Sequence, residues 1–111
     1  MIEKTIYDYL TACLHVPVYT EIPKDRPEKF VTLEKTGGSR VNLLDTATLA
    51  IQCWGTSLYD AAELCQTVIA VMNAAVALDD VSSAEYVTDH NYTDTSTKHY
   101  RYQTVYQVTH Y

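Results

Sequence analysis

Apolar residues recur at spacings of three and four over residues 56–78, TSLYDAAELCQTVIAVMNAAVAL, the one segment long and periodic enough to be a core-forming helix. Leu58, Ala61, Ala62, Cys65, Val68, Ile69, Met72 and Val76 share one face of it. Asp60, Glu63, Gln66, Thr67 and Asn73 fall mostly on the other. Thr56 or Ser57 is placed to cap the first amides, and Asp60 and Glu63 sit where the positive end of the helix dipole favours carboxylates. Residues 2–14 carry a second stripe, formed by Ile2, Ile6, Tyr9, Leu10, Cys13 and Leu14, and Pro17 helps to end it.

Elsewhere the period shortens to two. Residues 18–22 (VYTEI) read as a short strand closed by the proline-containing segment Pro23 to Pro27, and residues 30–35 (FVTLEK) as a second, with apolar groups on both faces. In the third, residues 46–54, Ala47, Leu49, Ile51 and Cys53 form the expected core face. After the long helix, residues 81–92 supply a fourth strand, polar residues 93–98 a connection, and tyrosine-rich residues 99–111 a fifth. The order α-β-β-β-α-β-β predicts an α+β fold. It is a single domain over 1–111, a largely antiparallel mixed sheet of about five strands with two helices on one face.

Residues 36–45, TGGSRVNLLD, interrupt this pattern. Gly37 and Gly38 permit positive φ, and Ser39, Asn42 and Asp45 suit turns, so the stretch reads as a long exposed loop or hairpin tip. Val41, Leu43 and Leu44 are more apolar than a solvated loop requires. They either fold back on the core or, beside Arg40, form a contact surface for another chain. Tyr100, Tyr102 and Tyr106 pose a similar choice, because they share one face of the last strand with Val108. They pack under the helices or cover a subunit interface.

The composition is that of an ordinary globular chain, 47% hydrophobic and 20% charged in 111 residues. Its net charge of −6 is unevenly placed. Residues 1–40 balance, whereas beyond them only Lys98 and Arg101 oppose eight carboxylates, which argues against a nucleic-acid-binding module. Cys13, Cys53 and Cys65 form no even framework and sit among apolar neighbours, as expected of reduced, buried thiols. No apolar run approaches the ~20 residues of a membrane span and no leader is evident, so a soluble, intracellular protein is expected.

Catalytic chemistry finds little footing. Cys13, His15, His90, His99 and His110 lack metal-ligand spacing, and Cys53 has no neighbour that would lower its pKa. Gly37-Gly38-Ser39 lacks the lysine and following helix of a phosphate loop, and Asp79-Asp80 is turn-like.

Four stretches that make up nearly the whole chain, VPVYTEIPKDRPEKFVTLEKTGGSR, TATLAIQCWG, TSLYDAAELCQTVIAVM and NYTDTSTKHYRYQTVYQVTHY, together resemble the tail terminator (tail-completion, or head-tail joining) proteins of long-tailed bacteriophages and Gram-positive prophages. The most telling pieces are Glu34 to Arg40, Ala61-Ala62-Glu63, Tyr92-Thr93-Asp94 and Tyr100 to Gln103. The resemblance implies a structural protein without enzymatic activity or cofactor. Its copies would form a hexameric ring that caps the tail tube, stops tube-protein polymerisation and docks the head connector or completion protein. The partners implied are other copies of the chain, the tube protein and the connector, with no sequence-specific nucleic acid and no membrane. The places implied are the host cytoplasm during assembly and the head-tail interface of the virion. Gly37, Gly38, Arg40, Val41, Leu43 and Leu44 are the candidate assembly loop, and Tyr100, Tyr102 and Tyr106 the candidate interface strand. The alternatives are another phage neck or tail component, or a small ligand-binding or enzymatic α+β domain.

Overall fold

The computed structural model describes residues 1–41, 43–94, 96–97 and 99–111, with the backbone alone at Val41. Helix α1 (Ile2–Cys13) leads into β1 (Val18–Tyr19), β2 (Phe30–Val41) and β3 (Leu44–Gly55); α2 (Leu58–Asn73) then precedes β4 (Val81–Asn91) and β5 (Tyr100–His110). A single 3₁₀ turn, Ala75–Ala77, follows α2. The strands form one five-stranded sheet in the order β1-β2-β3-β5-β4, parallel between β1 and β2 and antiparallel elsewhere. The expected α+β architecture is the observed one.

Alternation along β3 explains where the core lies. Ala47, Leu49, Ile51 and Cys53 are all completely buried, as are their β5 neighbours Val108, Tyr106 and Thr104. Val31 and Leu33 of β2 continue the same face opposite Cys53 and Ile51. Both helices pack here, through Ile2, Ile6 and Leu10 of α1 and Cys65, Val68 and Met72 of α2. The opposite face is threonine- and glutamine-rich along β3 and β5. At one end it is covered by the segment between β1 and β2, whose Arg26 guanidinium lies 5.3 Å from the Trp54 ring centre.

Local details depart from the sequence pattern. Ser57 caps α2, its Oγ accepting from the Asp60 amide at 3.1 Å, so of the two expected caps it is Ser57 that acts. The helix stops at Asn73, which leaves Val76 53% exposed, and Leu58 at the other end is 42% exposed. The first strand contracts from 18–22 to two residues, because the chain turns away before Pro23 and leaves Ile22 exposed. Cys13 ends α1 in solvent and is not the buried thiol expected, whereas Cys53 and Cys65 are buried. Among the described residues no helix is long and apolar enough to cross a membrane.

Two long sheet edges lie open. β1 covers β2 only at Val31 and Thr32, so β2 has an unpaired outer edge from Leu33 to Val41 among the described residues. β4 forms the opposite edge of the sheet. The tyrosine-rich β5, which lacks edge-protecting residues, needs none because it is flanked by β3 and β4.

Candidate functional site

The stretch expected to be a long exposed loop or hairpin tip, residues 36–45, is the end of a β-hairpin. β2 continues through it as strand, with Gly38 opposite Ala47, Ser39 opposite Thr46 and Arg40 opposite Asp45. Neither Gly37 nor Gly38 has positive φ; the positive value falls on Leu43, at 69°, in the turn. What the glycine-rich stretch accommodates is a bulge at Thr36, where the register shifts between Lys35 and Gly37. A Cβ at Gly38 would stand 3.3 Å from the Thr46 carbonyl oxygen, whereas one at Gly37 would meet nothing within 4 Å.

The hairpin end is fixed by a bidentate ion pair. Arg40 Nε donates to Asp45 Oδ1 at 2.6 Å and Nη2 to Oδ2 at 3.1 Å. This hydrogen bonding holds the Asp45 carboxyl below the ordinary aspartate range and pushes the Arg40 guanidinium up. Beyond it Leu43 is 89% exposed, so it does not fold back on the core, while Leu44 is half-buried. The Asn42 position and the side chain of Val41, the third apolar group of the expected contact, lie outside the described residues. Beside the bulge, Lys35, Thr36, Ser39, Arg40 and Thr46 border an open concavity of about 560 Å³.

The three tyrosines separate. Tyr106 is completely buried under α2, donating to the Ile69 carbonyl at 3.1 Å and to Asn73 Oδ1 at 2.7 Å, and cannot cover a subunit interface. Tyr102 is half-buried and borders a surface hollow with Tyr59, Ala62, Glu63 and Gln66 of α2. Tyr100, two residues away at the start of β5, lies beside Arg26, His99 and Trp54.

An unanticipated cluster occupies the sheet face away from the helices at that end. Phe30 and Trp54, directly paired across β2 and β3, stack with ring centres 5.2 Å apart and planes 7° apart. The Arg101 guanidinium bridges the Trp54 and Tyr92 rings at 4.7 and 4.8 Å from their centres. Polar atoms around it are satisfied within the cluster: Arg101 Nη1 donates to Gln52 Oε1 and Gln52 Nε2 in turn to Gln103 Oε1, while Trp54 Nε1 separately donates to Thr32 Oγ1. Arg26 Nη1 and His99 Nδ1 approach to 3.0 Å at its rim. The cluster seals this end of the sheet. The sequence signal for it was the even spacing of Gln52 and Trp54 opposite the face called core, which becomes informative only once the strand pairing is known.

The remaining candidate chemistry is dispersed. Among the described residues no three histidine, cysteine or acidic side chains converge as a metal site. Cys53 and Cys65 are free, buried neighbours, and the adjacent Cys65 thiol together with burial pushes the Cys53 thiol well up. Of the expected site residues, Gly37, Gly38, Arg40, Leu43 and Leu44 lie together at the hairpin end, and the three tyrosines lie along β5 apart from it. Neither the protein-family models nor the curated proteins compared with this chain give a match.

Proposed function

We propose that this protein is a structural component of a phage or prophage tail. In this reading its copies close into a ring on the end of the tail tube, stop the tube protein from adding further, and offer a docking surface to the head connector. Assembly takes place in the host cytoplasm, and the finished ring sits at the head-tail interface.

The observation that carries the reading, beside the sequence resemblance, is the hairpin end. An apolar side chain, Leu43, stands 89% exposed on a turn whose base is clamped by the Arg40–Asp45 ion pair. A fully exposed leucine on a non-glycine positive-φ turn contributes little to the fold and costs local backbone strain. The same arrangement suits a contact that forms only on assembly, because a preordered anchor loses little entropy when it docks.

Native mass measurement over a concentration series, alone and with purified tail tube protein, tests this. Ring-sized species under either condition are the expected result. A chain that remains monomeric and leaves the length distribution of polymerising tube protein unchanged would overturn it, and an enzymatic or ligand-binding domain would then be the reading to pursue.

A further inference from the structure

We infer that the outer edge of β4 pairs antiparallel with the outer edge of β2 in a second copy of this chain, joining copies head-to-tail into a continuous sheet. This deepens the ring reading and rests on it.

Backbone directions make the two edges complementary. The Val31 amide donates outward to the Pro17 carbonyl at 2.9 Å, so by alternation Leu33 and Lys35 also point their backbone groups away from β3. On the other side the Tyr92 amide donates to the Arg101 carbonyl at 2.9 Å, so Asn91 and Asp89 point theirs away from β5. Since β2 and β4 lie antiparallel within one sheet, copies related by rotation about an axis along the strands bring β4 to β2 antiparallel, with the helices always on the same side.

The bulges then select the register. β2 carries one extra residue at Thr36, between Lys35 and Gly37, and β4 carries two, at Ser82, between Val81 and Ser83, and at Val87, between Tyr86 and Thr88. Each bulge reverses the alternation of faces along its strand. Placing the Thr36 bulge beside Val87 keeps helix-side side chains opposite helix-side neighbours and pairs the whole free edge of β2 with β4, whereas placing it beside Ser82 would run that edge past the start of β4 at Val81. The Val87 register places Lys35 opposite Asp89, Glu34 opposite His90 and Gly38 opposite Tyr86. The exposed Tyr86 ring would cover the bare backbone at Gly38, and Lys35 and Asp89 are of opposite charge.

Charge separates this arrangement from a two-fold one. β4 and the turn before it contain Asp79, Asp80, Glu85 and Asp89 and no lysine or arginine, so β4 against β4 would gather eight carboxylates from two copies at one seam. β4 against β2 instead meets the exposed cation Lys35; Arg40 is engaged by Asp45 and adds less.

Disulfide trapping tests the register. Glu34 and His90 would form a non-hydrogen-bonded pair, with Cα atoms ~4.5 Å apart, within the range a disulfide spans. In a Cys13→Ser background, Glu34→Cys and His90→Cys chains are oxidised with diamide separately, mixed, and combined in one chain. The mixture is expected to give linked dimers, the double variant a ladder of linked oligomers, and each single variant alone only monomer. Linked dimers of the His90→Cys chain alone would overturn the head-to-tail pairing. Native assemblies larger than dimers without any trapped product would overturn the edge pairing and leave the ring reading standing. Monomers throughout, with no trapping and no effect on tube polymerisation, would overturn both.

Discussion

The hydroxyl of Tyr106, in the middle of β5, lies 2.7 Å from Asn73 Oδ1 at the last residue of α2 and also donates to the Ile69 carbonyl, so one phenol ties the C-terminal turns of the helix to the sheet. Burial, followed by the neighbouring Tyr86, pushes its pKa from 10.0 up to about 12. Because the folded value lies above the unfolded one, the associated stability is fully present below pH 10.0 and is lost as pH rises through about 12. Urea unfolding from pH 9 to 12 should show this fall, with some of it missing in Tyr106→Phe. At neutral pH that variant should be destabilised by about 1–3 kcal/mol, because it leaves two acceptors with one donor fewer.

A second prediction contrasts two glycines. Gly55 joins β3 to α2, and a Cβ there would stand 2.7 Å from the Ala61 amide nitrogen, on backbone that cannot rotate away. Gly55→Ala should lower stability by about 1–3 kcal/mol. At Gly37 a Cβ meets nothing within 4 Å and φ is not positive, so Gly37→Ala should be neutral or stabilise by about 0.5–1 kcal/mol. Thermal melts of the two variants should therefore move in different directions or by clearly different amounts.

A third concerns the face of α2. Val68 is completely buried, whereas Ile69, one residue on, is only partly buried against the core. An unpaired carboxylate at Val68 costs several kcal/mol against a total stability of roughly 5–15, so Val68→Asp should abolish the cooperative melt. Ile69→Asp should melt cooperatively at a lower temperature. Equal melts for the two would mean that α2 is rotated from the orientation described.

These cases show which parts of the molecule were legible in its sequence. Period-two alternation placed Ala47, Leu49, Ile51 and Cys53 on the core face, and period-3.6 spacing found both helices, because a buried face imposes its period on the chain. The reach of β2 was not legible. Gly37, Gly38 and Ser39 carry turn-like side chains, yet pairing with β3 outweighs that preference and continues β2 as far as Val41. Nor could a one-residue signal separate Tyr106 from Tyr100 and Tyr102, since what buries it is the position of α2 across the sheet. The Phe30–Trp54 stack likewise depends on register between strands, which no local pattern encodes.

The last prediction bears on the hairpin end. Arg40 and Asp45 are both exposed enough that their ion pair should add little to global stability, and its physical effect is to hold the turn in one geometry. Replacing Arg40 with Glu sets two carboxylates against each other at the base of the turn, and the Asp45 carboxyl should then titrate at higher pH than in the parent chain, as followed by carboxyl NMR. Replacing Leu43 with Ser removes the exposed apolar contact without opening a cavity. The double variant should keep the parent circular dichroism spectrum and a melt within about 1 kcal/mol of it, since surface changes away from core contacts rarely cost more. If the hairpin end anchors assembly, the same variant should lose ring formation or tube capping, because interface anchors of this kind contribute about 1–3 kcal/mol each. Loss of the fold would show that Leu43 supports the core after all. Retention of both fold and assembly would remove the hairpin end from the interface and leave the open edges of β2 and β4 to carry it.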